Sequence, residues 1–169
     1  MPTSAYDGRR WVTDRLADSH VTTVVDVGPG EGTYSTLGRH LIWWATWICV
    51  EVFEPYVERF LLGQKYDQVI VADVRDWWAV PDDYLILFGD VLEHMERDDA
   101  VALIERHKET ATEIYVSVPI VPSPQGPCYG NDHETHLHDW TFDEMSSLLP
   151  GADSFQGVQV GRWWWRREF

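Results

Sequence analysis

Residues 24–35 read Val-Val-Asp-Val-Gly-Pro-Gly-Glu-Gly-Thr-Tyr-Ser, and they carry the first chemistry this chain offers. An apolar run, Val24 to Val27, leads into glycines at alternate positions, Gly28, Gly30 and Gly32, and a helix is predicted from about Tyr34. Glycine belongs where the backbone turns tightly or must approach a ligand with no Cβ in the way. The start of the helix behind such a loop offers free N–H groups to a polar ligand. The G-x-G-x-G spacing is neither the G-x-G-x-x-G of a dinucleotide turn nor the G-x-x-x-x-G-K-[ST] of a phosphate-binding loop. An acid, Asp26, stands just before the loop. Taken alone, the run also reads as a glycine-rich strand-to-helix turn with no ligand.

A second concentration lies at Tyr129-Gly-Asn-Asp-His-Glu-Thr-His-Leu-His-Asp-Trp140, which places His133, His136 and His138 among three acids. Histidine is the side chain best placed to take a proton near pH 7. Imidazole with carboxylate is also a usual metal set, but this run is not H-E-x-x-H and it lies in a loop. A substrate lid carrying a general base, with His133 and His136 as the candidates, is the economical reading. A purely structural or capping role and a metal site are the alternatives.

Three further acids follow predicted strands: Glu51 after Ile-Cys-Val, Asp73 after Val-Ala, and Asp90 in Phe-Gly-Asp-Val-Leu-Glu-His-Met95. A carboxylate at the first position can accept from ribose hydroxyls, and one at the second from an exocyclic amine, with Val74 beside it for apolar contact. Glu54 competes with Glu51 three residues on. Any one such acid is usually a solvated loop residue or a helix cap, but three in register with a glycine loop form a set.

The elements that must position this set alternate. Helical spacing runs over Arg9–Asp18, Tyr34–Leu41, Pro55 to about Leu62, Asp98–Thr110 with Asp98 or Asp99 near its N-cap, and Thr141 to about Leu149. Thr141 with Glu144 reads as a capping box. Strands are predicted at Val21–Val27, Trp44–Val50, Gln68–Ala72, Tyr84–Phe88 and Glu113–Val118, followed by a terminal pair at about Ala152–Gln159 and Gly161–Arg167. Alternating strands and helices predict an α/β fold, a doubly wound and mostly parallel seven-stranded sheet with helices on both faces and a C-terminal antiparallel strand pair. Ligands of such sheets bind outside the carboxyl ends of the strands, where the loop and the acids converge.

Length and composition set bounds. The 169 residues fit one domain, 1–169, large enough to bury a core. A net charge of −15 repels phosphate backbones, so nucleic acid is not the expected partner, although Arg162, Arg166 and Arg167 could make a local basic patch at the C-terminus. No apolar run reaches a membrane span, and Met-Pro-Thr-Ser-Ala-Tyr-Asp-Gly lacks a signal core, so a cytoplasmic protein is expected. Cys49 and Cys128 make no disulfide framework or zinc ribbon. Of the ten tryptophans, eight cluster at 43–47, 77–78 and 163–165, as core filler with an exposed patch, or as an aromatic pocket or a homodimer face.

With its motifs in this order, residues 21–118 resemble the core of a class I S-adenosylmethionine (SAM) dependent methyltransferase. The match rests on Asp26–Gly32, Glu51, Asp73 and Asp90–His94. The resemblance implies SAM as cofactor, with the loop around its methionine part, Glu51 on the ribose and Asp73 on the adenine. The implied set is Asp26, Gly28, Pro29, Gly30, Gly32, Tyr34, Glu51, Val52, Asp73, Val74, Asp90 and Val91. The string Asp-Val-Leu-Glu-His-Met is similar to a segment of ubiquinone-biosynthesis O-methyltransferases in which acid-x-x-Glu-His can hold a divalent ion. Asp90, Glu93 and His94 match that pattern, yet many relatives keep Leu-Glu-His without a metal, and no metal is expected here. The Asn/Asp-Pro-Pro-Tyr motif of amino-methylating enzymes is absent after strand four. Small-molecule O-methylation is the expected reaction. A catalytically inactive SAM-binding scaffold acting through protein contacts is the alternative. A dinucleotide oxidoreductase and a metal hydrolase rank below both.

Overall fold

The strands that flank the glycine loop are apolar at nearly every position rather than at every second one, the pattern of strands covered on both faces. The computed structural model describes residues 7–78 and 81–168, and the first six residues of the run inspected for a signal core lie outside them. Its strands are β1 Thr23–Val27, β2 Thr46–Glu51, β3 Gln68–Val71, β4 Tyr84–Gly89, β5 Glu113–Pro119, β6 Asp153–Gln156 and β7 Val160–Arg166. They form one sheet in the order β3-β2-β1-β4-β5-β7-β6. Strands β1 to β5 pair in parallel, whereas β7 runs antiparallel to both β5 and β6.

Alternate residues of β4 separate two cores. Tyr84, Ile86 and Phe88 face one side, where Ala100, Leu103 and Ile104 of α4 (Arg97–Thr110) and Met145 of α5 (Phe142–Leu148) pack. Leu85 and Leu87 face the other side, against Val12 and Leu16 of α1 (Arg9–Ala17) and Tyr34 of α2 (Thr33–Gly38). The short helix α3, Pro55–Arg59, starts on a proline, whose fixed φ suits a first turn. Because β7 lies between two strands, its tryptophans are core on both sides: Trp163 joins the α4 face and Trp164 the α1 face. Trp43 and Trp78 are exposed, as one of the readings of the tryptophan clusters expects.

Several boundaries differ from expectation. Helix α2 stops at Gly38 rather than Leu41; a Cβ there would lie 2.8 Å from the Leu16 side chain and 3.0 Å from that of Trp47, so this residue lets the helix end press against the core. Glu51 ends β2 instead of following it. Helix α4 starts at Arg97, with Glu96 at its N-cap, so Asp98 and Asp99 occupy the first turn, where their charge favours the helix dipole. The capping box at α5 is half formed. Thr141 Oγ1 accepts from Glu144 N–H at 3.1 Å, while the Glu144 carboxylate turns outward to Arg97 and His138. Both cysteines are free thiols. No helix among the described residues is long and apolar enough to cross a membrane.

Candidate active site

The ends of β1, β2, β3 and β4 open onto one pocket of about 410 Å³. The first side of it is the loop after β1. Gly28, Gly30 and Gly32 have φ of 54°, 52° and 76°, the left-handed region that L side chains rarely adopt. Gly28 N–H donates to Val50 O at 2.9 Å, which fastens the loop to β2, and Gly32 N–H closes back on Pro29 O at 2.8 Å. Gly28, Pro29, Gly30 and Tyr34 line the pocket.

Two residues expected to touch a ligand lie behind the loop instead. Gly32 caps α2, and the Ser35 and Thr36 hydroxyls donate to its carbonyl. Asp26 is 1% exposed on the α1 face, where Tyr66 Oη donates to its Oδ2 at 2.6 Å and its Oδ1 has no partner among the described residues. Burial raises this carboxyl to about 7, against the Tyr66 bond, and Glu51 adds to the rise. Between about pH 4 and pH 7 the folded protein therefore holds a proton on Asp26 that the unfolded chain releases. The stabilisation this gives is complete below the unfolded value of 3.8 and lost as pH rises through about 7. Asp26→Asn should accordingly gain stability relative to the parent as pH rises from 4 to 7, by at most about 1.4 kcal/mol per pH unit. Urea unfolding of both proteins at pH 5 and pH 7 measures this, and a pH-independent difference would count against it.

At the β2 and β3 ends, Glu51, Val52, Asp73 and Val74 line the pocket. Glu51 is buried and its Oε1 accepts from Phe53 N–H at 2.8 Å. Burial, eased by that bond and aggravated by Glu134, lifts its carboxyl to about 7. Hydroxyls donating to it would favour its charged form. Asp73 is arranged differently from expectation. Arg75 reaches both of its oxygens, with Nη2 to Oδ2 at 2.6 Å and Nε to Oδ1 at 3.0 Å, and also donates to Asp99. These bonds hold the Asp73 carboxyl below its ordinary range, and they occupy part of the acceptor capacity assigned to an adenine amine.

At the β4 end, Asp90, Val91, Glu93 and His94 line the pocket, and the segment between β5 and α5 closes over it. That segment is tied down by Leu137 N–H to Glu93 O at 2.8 Å and the Arg59 guanidinium stacked 3.8 Å over the Tyr129 ring, and His136 N–H to Gln125 O at 3.0 Å closes it on itself. It separates the two histidines paired by sequence. His133 lines the β3 side, near enough to Asp73 to favour its carboxylate. His136 meets His94, ring centroids 4.8 Å apart. The two metal patterns considered separately in the sequence converge here: one ligand atom each from Glu93, His94 and His136 lie within 4.8 Å of one another. Glu93 is 2% exposed and its Oε2 has no partner among the described residues. Burial, with Asp90 beside it, drives this carboxyl well above its usual value. His94 Nδ1 lies 3.3 Å from Thr135 O and must donate to that carbonyl, so its lone pair is on Nε2. Burial, then His136, lowers His94 to about 4, which keeps it neutral at pH 7.

The sequence reading missed Glu134, buried on the lid, whose charge bears on both Glu51 and Glu93. Its place among the histidines was visible; its reach toward β2 depends on how the lid folds.

Solved structures share this architecture. The chain matches the N-terminal domain of EvdMO1 with S-adenosylhomocysteine (SAH) bound at a TM-score of 0.66 and 14% identity, over 98% of this chain and 83% of that one. The fold is that of the class I SAM-dependent methyltransferases. The mitomycin 7-O-methyltransferase MmcR matches at a TM-score of 0.60 and 16% identity, over 92% of this chain and 53% of that one. The small RNA methyltransferase HEN1 matches at 0.66 and 17%, over 100% of this chain but 26% of that one. No family model matches the sequence, and no curated protein does. Acceptors differ widely across this fold, so the chemistry of this chain has to be argued from its pocket.

Proposed function

We propose that this methyltransferase-fold protein binds SAM and methylates an oxygen of a small molecule. The observation that carries the reading is one pocket with the acids Glu51 and Asp73 at one end, the glycine loop at its middle, and Glu93, His94 and His136 at its far end. The donor set fits SAM. Positive-φ glycines let the loop backbone come close, Glu51 faces the pocket for hydroxyls, and acids surround the space for a sulfonium and an ammonium. Bound SAM supplies an activated methyl group on a positively charged sulfur.

The chain's own residues then have three tasks. Glu51, with Glu134 near it, holds the ribose, and His133 contacts the nucleoside end. The segment over the pocket excludes water. His136, packed against His94, receives the proton of the acceptor hydroxyl. The far-end trio also fits a divalent first-row cation, since a buried carboxyl oxygen with no partner among the described residues and two imidazole nitrogens make a usual donor set. When bound, such an ion supplies Lewis acidity that lowers the pKa of a hydroxyl. We favour this second, metal-assisted form of the same reaction because Glu93 Oε2 is otherwise left desolvated with no partner among the described residues. A net charge of −15 argues for a small acceptor over a polyphosphate strand.

Calorimetry on ligand-stripped protein should show SAM and SAH binding with micromolar dissociation constants, on the order of −8 kcal/mol. Absence of binding to either would remove the reading.

A further inference from the structure

Arg162 lies in β7, 1% exposed; Val160 of the same strand lines the pocket but Arg162 does not. A buried guanidinium is costly unless its charge and its donors are matched. Its Nε donates to Asp7 O at 2.8 Å. Its Nη1 donates to Tyr115 Oη and, at 3.4 Å, to Tyr34 Oη. From there a chain of hydroxyls leads to the pocket. Tyr34 Oη lies 3.1 Å from Tyr115 Oη and 3.4 Å from Ser117 Oγ, and Ser117 Oγ donates to Asp90 Oδ1 at 2.6 Å. Burial pulls the guanidinium's pKa down, but Tyr115, Tyr34 and Asp90 together hold it above its usual value.

The far end of this chain is held unusually tightly. Asp90 has φ 57°, a conformation that costs a non-glycine residue energy, and its N–H donates to Ser117 O at 2.9 Å. Tyr34 is pressed so closely on the preceding residue that a Cβ at Gly89 would lie 2.0 Å from its ring. Residue 89 must therefore be glycine for the tyrosine hydroxyl to reach beneath Asp90. The place of Asp90 in the pocket follows from strand order. Asp73 and Glu51 sit at β3 and β2, the loop at β1, and Asp90 beyond it at β4. A nucleoside held at β2 and β3 puts the amino-acid part of the ligand toward Asp90.

We propose that Arg162 is a positioning residue which, through Tyr34 and Ser117, fixes the Asp90 carboxylate where it receives the α-ammonium of bound SAM. The inference rests on the SAM reading above. A merely structural arginine would affect all ligands of the pocket alike, whereas one that acts through Asp90 affects only ligands with the amino-acid part.

The test compares SAH with 5′-methylthioadenosine, which keeps the nucleoside and lacks the amino acid, by calorimetry at one pH. Arg162→Met should weaken SAH by about tenfold or more, the worth of a charge-assisted hydrogen bond, and change methylthioadenosine by less than about twofold. Arg162→Lys, which restores the charge, should recover part of the loss. Ser117→Ala removes one hydroxyl from the relay and should show the same selective loss, about threefold to tenfold, with thermal unfolding close to the parent; it serves if Arg162→Met does not fold. Equal weakening of both ligands, or no weakening of SAH in folded Ser117→Ala, would overturn the relay. A parent protein that binds neither ligand would overturn the SAM reading, and the relay with it.

Discussion

Gly30→Val should abolish SAM and SAH binding while leaving a folded protein. Gly30 has φ 52° and lines the middle of the pocket, between Glu51 and Asp73 on one side and Asp90 on the other. Valine there meets two penalties. Its backbone is in a region that a β-branched side chain avoids, at a cost of roughly 1–2 kcal/mol or more, and its methyls stand where the ligand must pass. The first penalty is within the stability of an ordinary domain, so the fold should survive with a lowered melting temperature. The second can be met only by shifting the loop, which Gly28 N–H to Val50 O and Gly32 N–H to Pro29 O both pin. We expect affinity to fall by about a hundredfold or more, close to 3 kcal/mol. Calorimetry beside a circular-dichroism melt separates lost binding from lost fold. A folded variant that binds SAH like the parent would show that the ligand does not cross this loop.

How much of this was legible in the sequence depended on the range of the interaction. The glycine loop, Glu51 and the acids after β3 and β4 announce themselves because strand ends in a parallel sheet converge by topology alone. The central strands β1, β2, β4 and β5 were readable because their apolar runs are nearly continuous. Asp73 reaches the pocket lining at its strand end, but its surroundings differ from expectation. Arg75, two residues on, folds back onto it, and nothing in Asp-Val-Arg-Asp distinguishes that from an arginine turned to solvent. Asp26 was taken for a contact because it borders the motif; its side chain points to the opposite face from the residues on either side of it, which strand alternation alone predicts but which face carries the ligand does not follow from sequence. Arg162 was noticed only as part of a basic cluster with Arg166 and Arg167. Its burial depends on β7 inserting between β5 and β6, a pairing between segments far apart in the chain. The signal available was a lone charge in Gly-Arg-Trp-Trp-Trp, an interior position in a strand otherwise built for a core.

The histidines show the same limit, and they carry the other large prediction. His133 and His136 are three residues apart and look equivalent in sequence, but the lid turns them to different ends of the pocket, His133 toward Asp73 and His136 against His94. Methyl transfer, once an acceptor is in hand, should therefore fall by about a hundredfold to ten-thousandfold in His136→Ala, the range removed with a general base, and much less in His133→Ala. SAH affinity should be unchanged in His136→Ala, because the nucleoside acids and the glycine loop are untouched. Removing divalent ions from the parent with EDTA decides what His136 does. If Glu93, His94 and His136 hold a cation, EDTA should lower turnover as far as His136→Ala does, added Mn²⁺ should restore the parent and not the variant, and titration of Mn²⁺ followed by electron paramagnetic resonance should show one site that Glu93→Gln abolishes. If turnover is indifferent to EDTA while His136→Ala is inactive, the imidazole takes the acceptor's proton unaided. If His136→Ala turns over like the parent, neither form of the mechanism stands, since both place that ring at the reacting oxygen.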